Sequence, residues 1–426
     1  MNHFWGRTSL AATLSLFAGL VSVGFAQCDA VKSVRAPANS EAERDGAGLP
    51  LSILSKEDIS IVVGPEIAAN RYPLEAQFEV GAIPVTGKVQ YGFEAVGQAY
   101  MEKLLSQYRP DHGVFVAMDA KTGRILTLAS RTQNKSVQDE NLALRATFPA
   151  ASIFKVVTAG AVLDTDKVSP NTRIAFNGAN HTLYKRNVVD TKENRWTRRM
   201  SVREAFGSSV NTIFGKLGLF YAGPETLRAY AERFHFNHPI RADVPIQTGY
   251  ARFTADDPWS VVAAASGFTQ DNTMSPVQGA MIAAAVANDG VMMEPYVVES
   301  VHDQGGQPLY MAVPKRAAIV VGPETARQLR ELFEQTIISG TSRKSFRSAV
   351  RKRRFENVEF GGKTGSLTGL NPRGKCDWFV GYARFGDQRI AVAALTVNEE
   401  KWRVKSSILA QLFLTEYIKY YEENAP

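Results

Sequence analysis

A serine with a lysine three positions later, a second serine with an asparagine two positions on, and a late lysine-threonine-glycine string together hold the parts of an acyl-transfer site. They are Ser152-Ile153-Phe154-Lys155, Ser209-Val210-Asn211 and Lys363-Thr364-Gly365. A serine hydroxyl attacks a carbonyl only once a base takes its proton. On a helix Lys155 shares a face with Ser152, and a lysine becomes a base when desolvation or a nearby cation lowers its pKa. Ile153, Phe154, Val156 and Val157 supply apolar walls, and Lys363 supplies the cation.

The remaining residues have matching uses. Backbone N–H groups of Ser152 and of Ser366, directly after the K-T-G, suit a developing oxyanion, and such donors are worth about 3–4 kcal/mol of barrier each. Ser209 is placed to relay a proton to a leaving amine, and Asn211 to hold a substrate amide. Lys363 with Thr364 suits a terminal carboxylate, while Gly365 lets a substrate approach its strand closely.

Each string has an ordinary reading too. Ser152 caps a helix, Ser209 and Asn211 cap another, and Lys363 is an edge-strand lysine. An idle lysine among the neighbours of Lys155 is harder to place, because burying one without a role is costly. Two strings also recur elsewhere. Lys121-Thr122-Gly123 lies between the apolar runs 114–118 and 125–129, as a hairpin turn. Ser169-Pro170-Asn171 reads as a turn after a helix. S-x-x-K occurs once, so order and placement carry the argument.

The elements that must position these residues follow from periodicity. A helix is predicted from Phe93 to Tyr108, then a hairpin from Val114 to Ser130. The apolar run Ile153 to Leu163 predicts a buried helix with Ser152 in its first turn. Residues 170–200 read as a polar loop, followed by helices at 201–206, 212–219 and 224–234. Ser275-Pro276 and Pro323 open two more. Strands are predicted at 358–366, 378–385 and 390–397, and a last helix at 405–421. The hairpin and the late strands make one antiparallel five-stranded sheet. The fold class is therefore α/β, with helices flanking the sheet and an inserted all-α subdomain.

At 426 residues and 45% hydrophobic content the chain can bury one large core or two smaller ones. His3 and Arg7 precede Thr8–Ala26, which carries no charge, and Gly24-Phe25-Ala26 has small residues where a signal peptidase cuts. Residues 1–26 are thus a signal peptide or an N-terminal anchor, and either one exports the body of the protein. The expected location is the periplasm or the outer face of the cytoplasmic membrane. Residues 27–90 read as a flexible lead and a short segment, and 91–422 as the catalytic domain.

The net charge is a modest +7. Arg343, Lys344, Arg347, Arg351, Lys352, Arg353 and Arg354 nevertheless cluster without an acid. They read as a solvated helix end, or as a face for an anionic membrane or wall polymer. No nucleic-acid partner is expected. Export permits a disulfide between Cys28 and Cys376, but the polar surroundings of Cys28 argue against it. The six histidines are scattered, so neither metal nor cofactor is expected.

With these residues in place, the chain resembles the penicillin-binding protein transpeptidase domain family, whose S-x-x-K, S-x-N and K-T-G strings stand in this order. Val116-Ala117-Met118-Asp119 with Thr122-Gly123-Arg124-Ile125, Phe148-Pro149-Ala150-Ala151 before Ser152, Ala287-Asn288-Asp289-Gly290 and Trp378-Phe379-Val380-Gly381 extend the likeness across roughly 90–420. Ala151 stands where the family often has glycine. The resemblance implies a D,D-transpeptidase acting on peptidoglycan stem peptides through a Ser152 acyl-enzyme, with β-lactams as covalent inhibitors. It also allows association with a membrane surface or wall-synthesis proteins. Water in place of an amine acceptor would make it a D,D-carboxypeptidase. A serine β-lactamase is the rival. Yet no E-x-x-L-N lies between Asn211 and Lys363, and class D enzymes carry an aliphatic residue where Asn211 stands. A non-catalytic β-lactam sensor fits a complete set of catalytic residues poorly.

Overall fold

The computed structural model describes residues 52–134, 139–189 and 192–424. The expected signal or anchor at 1–26, most of the lead, and Cys28 lie outside the described residues. Those described fall within one compact unit.

Alternation along the strands builds the core. Val114, Val116 and Met118 enter one apolar cluster, while Phe115 and Ala117 enter another on the opposite face of the sheet. Trp378, Val380 and Tyr382 divide from Phe379 and Ala383 in the same way. Side chains alternate across a strand, so a sheet covered on both faces needs continuous apolar runs. The sheet is antiparallel, in the order Glu359–Leu370, Arg373–Phe385, Gln388–Asn398, His112–Asp119, Ile125–Thr132. The K-T-G strand, Glu359–Leu370, is an edge, with one side open to a further chain. The wholly buried helix Pro276–Ala287 covers one face. The helices Ala95–Tyr108 and Ser406–Asn424 cover the other.

The five-stranded sheet, the flanking helices and the helical middle match the expected architecture. Several details differ. Residues 75–91 form a hairpin that pairs with Val298–His302, giving a second sheet of four strands. The stretch read as a loop at 170–200 contains the ribbon Arg173–Phe176 with Arg198–Ser201, and a short helix Lys185–Val189. Four-residue strands are too short to show a period. The ribbon instead gains from the Arg198 guanidinium, 4.4 Å from the centre of the Phe176 ring.

The duplicated strings are turns. Lys121-Thr122-Gly123 joins two sheet strands; Gly123 has φ +85°, and a Cβ there would lie 2.1 Å from the Glu294 carbonyl oxygen. Ser169 closes a turn by donating its N–H to Thr172 Oγ1 at 2.9 Å.

Candidate active site

The approach to Ser152 is pinned before the nucleophile is reached. Phe148-Pro149 pairs with Thr273-Met274, Trp378 Nε1 donates to the Pro149 carbonyl at 2.9 Å, and the Ala150 N–H donates to the Asn272 carbonyl at 2.7 Å. Ala151 then turns the chain with φ +50°. Ala151–Phe154 is a 3₁₀ turn leading into the α-helix Lys155–Asp164, so Ser152 precedes the α-helix proper. Its N–H belongs to the first turn, where no intrahelical acceptor exists, and can serve an oxyanion.

The Lys155 side chain is wholly buried. Its Nζ lies 2.8 Å from Ser152 Oγ, 2.7 Å from Asn211 Oδ1 and 2.5 Å from the Ser266 carbonyl oxygen. Burial first, and the charge of Lys363 second, hold its pKa well below the ordinary lysine value. A neutral amine has two protons and one lone pair. The amide and backbone oxygens can only accept, so they take the two protons. The lone pair is left for the Ser152 hydroxyl.

Ser209 sits at φ +55° between the helices Val202–Gly207 and Asn211–Lys216. A non-glycine residue in that region costs roughly 1–3 kcal/mol and persists only where its surroundings enforce it. Here the Ser201–Glu204 capping box fixes the first helix, and the turn presents Ser209 Oγ to Lys363 Nζ at 2.9 Å. Lys363 also donates to the Thr364 carbonyl at 2.8 Å. Burial pulls its pKa down to about 7.

Ser152, Ser209, Asn211, Thr364, Gly365 and Ser366 line one cleft of about 380 Å³, with Lys155 and Lys363 buried beneath it. All eight expected residues thus converge. Gly365 packs on the nucleophile's turn: a Cβ there would meet Ile153 atoms at 3.2–3.3 Å. Asn211 holds Lys155 with its Oδ1 and donates Nδ2–H to the His181 carbonyl at 2.8 Å. One Oδ1 lone pair and one amide proton stay available to a ligand.

Sequence reasoning missed several members. The carbonyl of Ser266 ends the helix Pro258–Ser266, and Asp257-Pro258, a cap followed by proline, was the available signal. His181 lines the cleft, its pKa lowered chiefly by burial. Thr341 shares a 2.6 Å hydroxyl contact with Thr364. Lys375, Asp377, Trp402, Lys405 and Ser407 form the far wall. No string announces these, because they come from a neighbouring strand, a loop and the start of the last helix.

Residues 113–414 match the family described as the penicillin binding protein transpeptidase domain. The peptidoglycan D,D-transpeptidase PbpA of Mycolicibacterium smegmatis is 29% identical over 325 residues, covering 67% of this chain and 62% of that relative. The chain thus spans under two thirds of that relative's length. The D,D-transpeptidase domain of a peptidoglycan glycosyltransferase from Eggerthella lenta superimposes with TM-score 0.65 at 25% identity, covering 78% of this chain and 83% of that one. The ceftriaxone acyl-enzyme of penicillin-binding protein A from Mycobacterium tuberculosis shares the fold, with TM-score 0.63 at 23% identity over 83% of this chain and 82% of that one.

Proposed function

The chain belongs to the penicillin-binding protein transpeptidase domain family, and from that premise we propose that it is a D,D-transpeptidase acting on the D-Ala-D-Ala end of peptidoglycan stem peptides. The observation that carries the proposal is the buried Lys155 amine, 2.8 Å from Ser152 Oγ with its protons directed elsewhere. The named activity of the Mycolicibacterium relative supports the same substrate.

Lys155 Nζ takes the hydroxyl proton as Ser152 Oγ attacks the penultimate D-alanine carbonyl. The N–H groups of Ser152 and Ser366 receive the oxyanion. The carbon–nitrogen bond then breaks as Ser209 gives its proton to the departing D-alanine amine and takes a replacement from the Lys363 ammonium, while Lys155 keeps the Ser152 proton until the acyl-enzyme is resolved. The terminal carboxylate is held by the Thr364 hydroxyl and the Lys363 charge. An amine from a second stem resolves the acyl-enzyme by the reverse path. A β-lactam carbonyl meets the same serine and leaves a stable ester. The work is placed outside the cytoplasm, supported by the uncharged stretch Thr8–Ala26.

Incubation with a fluorescent penicillin tests this. Wild type should carry a lasting covalent label that Ser152→Ala lacks, and Lys155→Ala should label about 10²–10⁴-fold more slowly. An unlabelled wild type, or equal label on wild type and Ser152→Ala, would overturn the assignment. Rapid loss of the label would favour a β-lactamase.

A further inference from the structure

The cleft continues past the nucleophile along the K-T-G strand, and its chemistry changes there. Lys375 pairs in register with Thr368, and Asp377 with Ser366. Both belong to the next strand and line the cleft together with Trp402 and Lys405. Lys405 is exposed and Lys375 half-buried. Among the described residues neither amine has an ion pair or side-chain hydrogen bond. Lys405 Nζ instead stands 5.7 Å from the centre of the Trp402 ring. Asp377 is the acid among the lining residues. Its carboxylate lies within the field of both Lys405 and Lys375, while its Oδ2 is held by the last helix, accepting the Ser406 N–H at 2.8 Å. Glu399 and Glu400 line a different hollow, beside Asp111.

From this wall we infer that Lys375 and Lys405 form a subsite for a carboxylate on the peptide residue that precedes the two D-alanines. The inference rests on the function proposed above. With the terminal carboxylate at Lys363 and Thr364 and the reacting carbonyl beside Gly365 and Ser366, the earlier part of a bound peptide runs past Leu367 and Thr368. It extends along the open edge of the sheet. A side chain leaving it there meets two ammonium groups and the flat face of Trp402. Two cations that share a wall repel each other, and an anion between them removes that repulsion. The subsite therefore selects peptides carrying a free side-chain carboxylate over the same peptides with that group amidated.

The test uses a matched pair of acylating agents, benzylpenicillin and its analogue with a carboxylate on the side-chain α-carbon. Second-order acylation rates are read by competition with the fluorescent penicillin. In wild type the ratio of charged to neutral rates should fall about 3–10-fold between 20 mM and 0.5 M NaCl, because exposed charges are screened. The same ratio at low salt should fall about 5–10-fold in Lys405→Gln and further in the Lys375→Gln/Lys405→Gln double variant. Expressing the effect as a ratio cancels any general loss of active protein. A ratio indifferent to salt in wild type, or unchanged in the double variant, overturns the subsite while labelling of Ser152 leaves the function standing. A wild type that neither penicillin labels overturns both.

Discussion

The amine of Lys155 rests 2.5 Å from the carbonyl oxygen of Ser266, the last residue of a helix that begins at Pro258. A backbone carbonyl cannot donate, so this contact takes one proton of the neutral amine. Asn211 Oδ1 at 2.7 Å takes the other. Gly267, at φ +65°, ends that helix, and a Cβ on it would stand 1.9 Å from the Ala151 carbonyl oxygen. The base and the turn carrying the nucleophile are thus braced by the same helix end.

Asn211→Asp should show what keeps Lys155 neutral. A carboxylate at the Asn211 position favours the ammonium form and raises the lysine's pKa. We expect the acid limb of the acylation profile to move to higher pH, with a rate loss of about 10²-fold or more at neutral pH. Stopped labelling with fluorescent penicillin across pH 5–9 measures this. An unmoved limb would mean that Asn211 does not govern the lysine.

The wild-type profile should be bell-shaped. Lys155 must be neutral to accept a proton, and its lowered pKa puts that form within the working range. Lys363 must be charged, and its pKa of about 7 places the alkaline limb of the free enzyme near that pH. Lys363→Arg keeps its charge above pH 12. Its rate should be lower but should lose the alkaline limb. A wild-type rate that climbs steadily to pH 9 would contradict this assignment.

Burying the Lys363 charge should cost stability. The folded pKa, about 7, lies below the unfolded value near 10.4, so the folded state binds the proton less well. The penalty is fully present below pH 7 and disappears as pH rises through the unfolded pKa. Lys363→Met should therefore unfold at higher denaturant concentration at pH 6, by roughly 2–4 kcal/mol. The gain should shrink toward pH 10, and acylation should be lost. A gain that does not vary with pH would point to packing rather than charge.

Ala151 tests strain at the nucleophile. An L-residue at φ +50° costs about 1 kcal/mol relative to glycine. Ala151→Gly should leave thermal stability equal or higher by up to about 1 kcal/mol, since the greater freedom of unfolded glycine offsets part of the relief. Ala151→Val, branched at Cβ in a region such residues avoid, should lose more than about 2 kcal/mol. Calorimetry on the two variants decides; equal unfolding temperatures would show that the turn carries no strain.

Local chemistry made much of this protein legible from its sequence. The continuous apolar runs around Val114 and Trp378 suit a sheet covered on both faces, and Ser275-Pro276 marked its helix start. S-x-x-K put an amine one turn from a hydroxyl, and the order of the three strings carried the family likeness. The four-stranded sheet was hidden because its two hairpins are far apart in sequence, at 75–91 and 298–311. Only the tertiary structure could decide the state of Lys155, which depends on burial, on Lys363 and on a backbone carbonyl of a distant helix. It also decided which K-T-G matters: Lys121 lies in a turn, paired with Asp387 at 2.9 Å, whereas Lys363 is buried against Ser209. The far wall of Lys375, Trp402 and Lys405 likewise exists only where a strand and a loop meet. Covalent spacing fixes which groups one turn or one strand can share. Proton affinity depends on everything packed around a group, so it is a property of the fold.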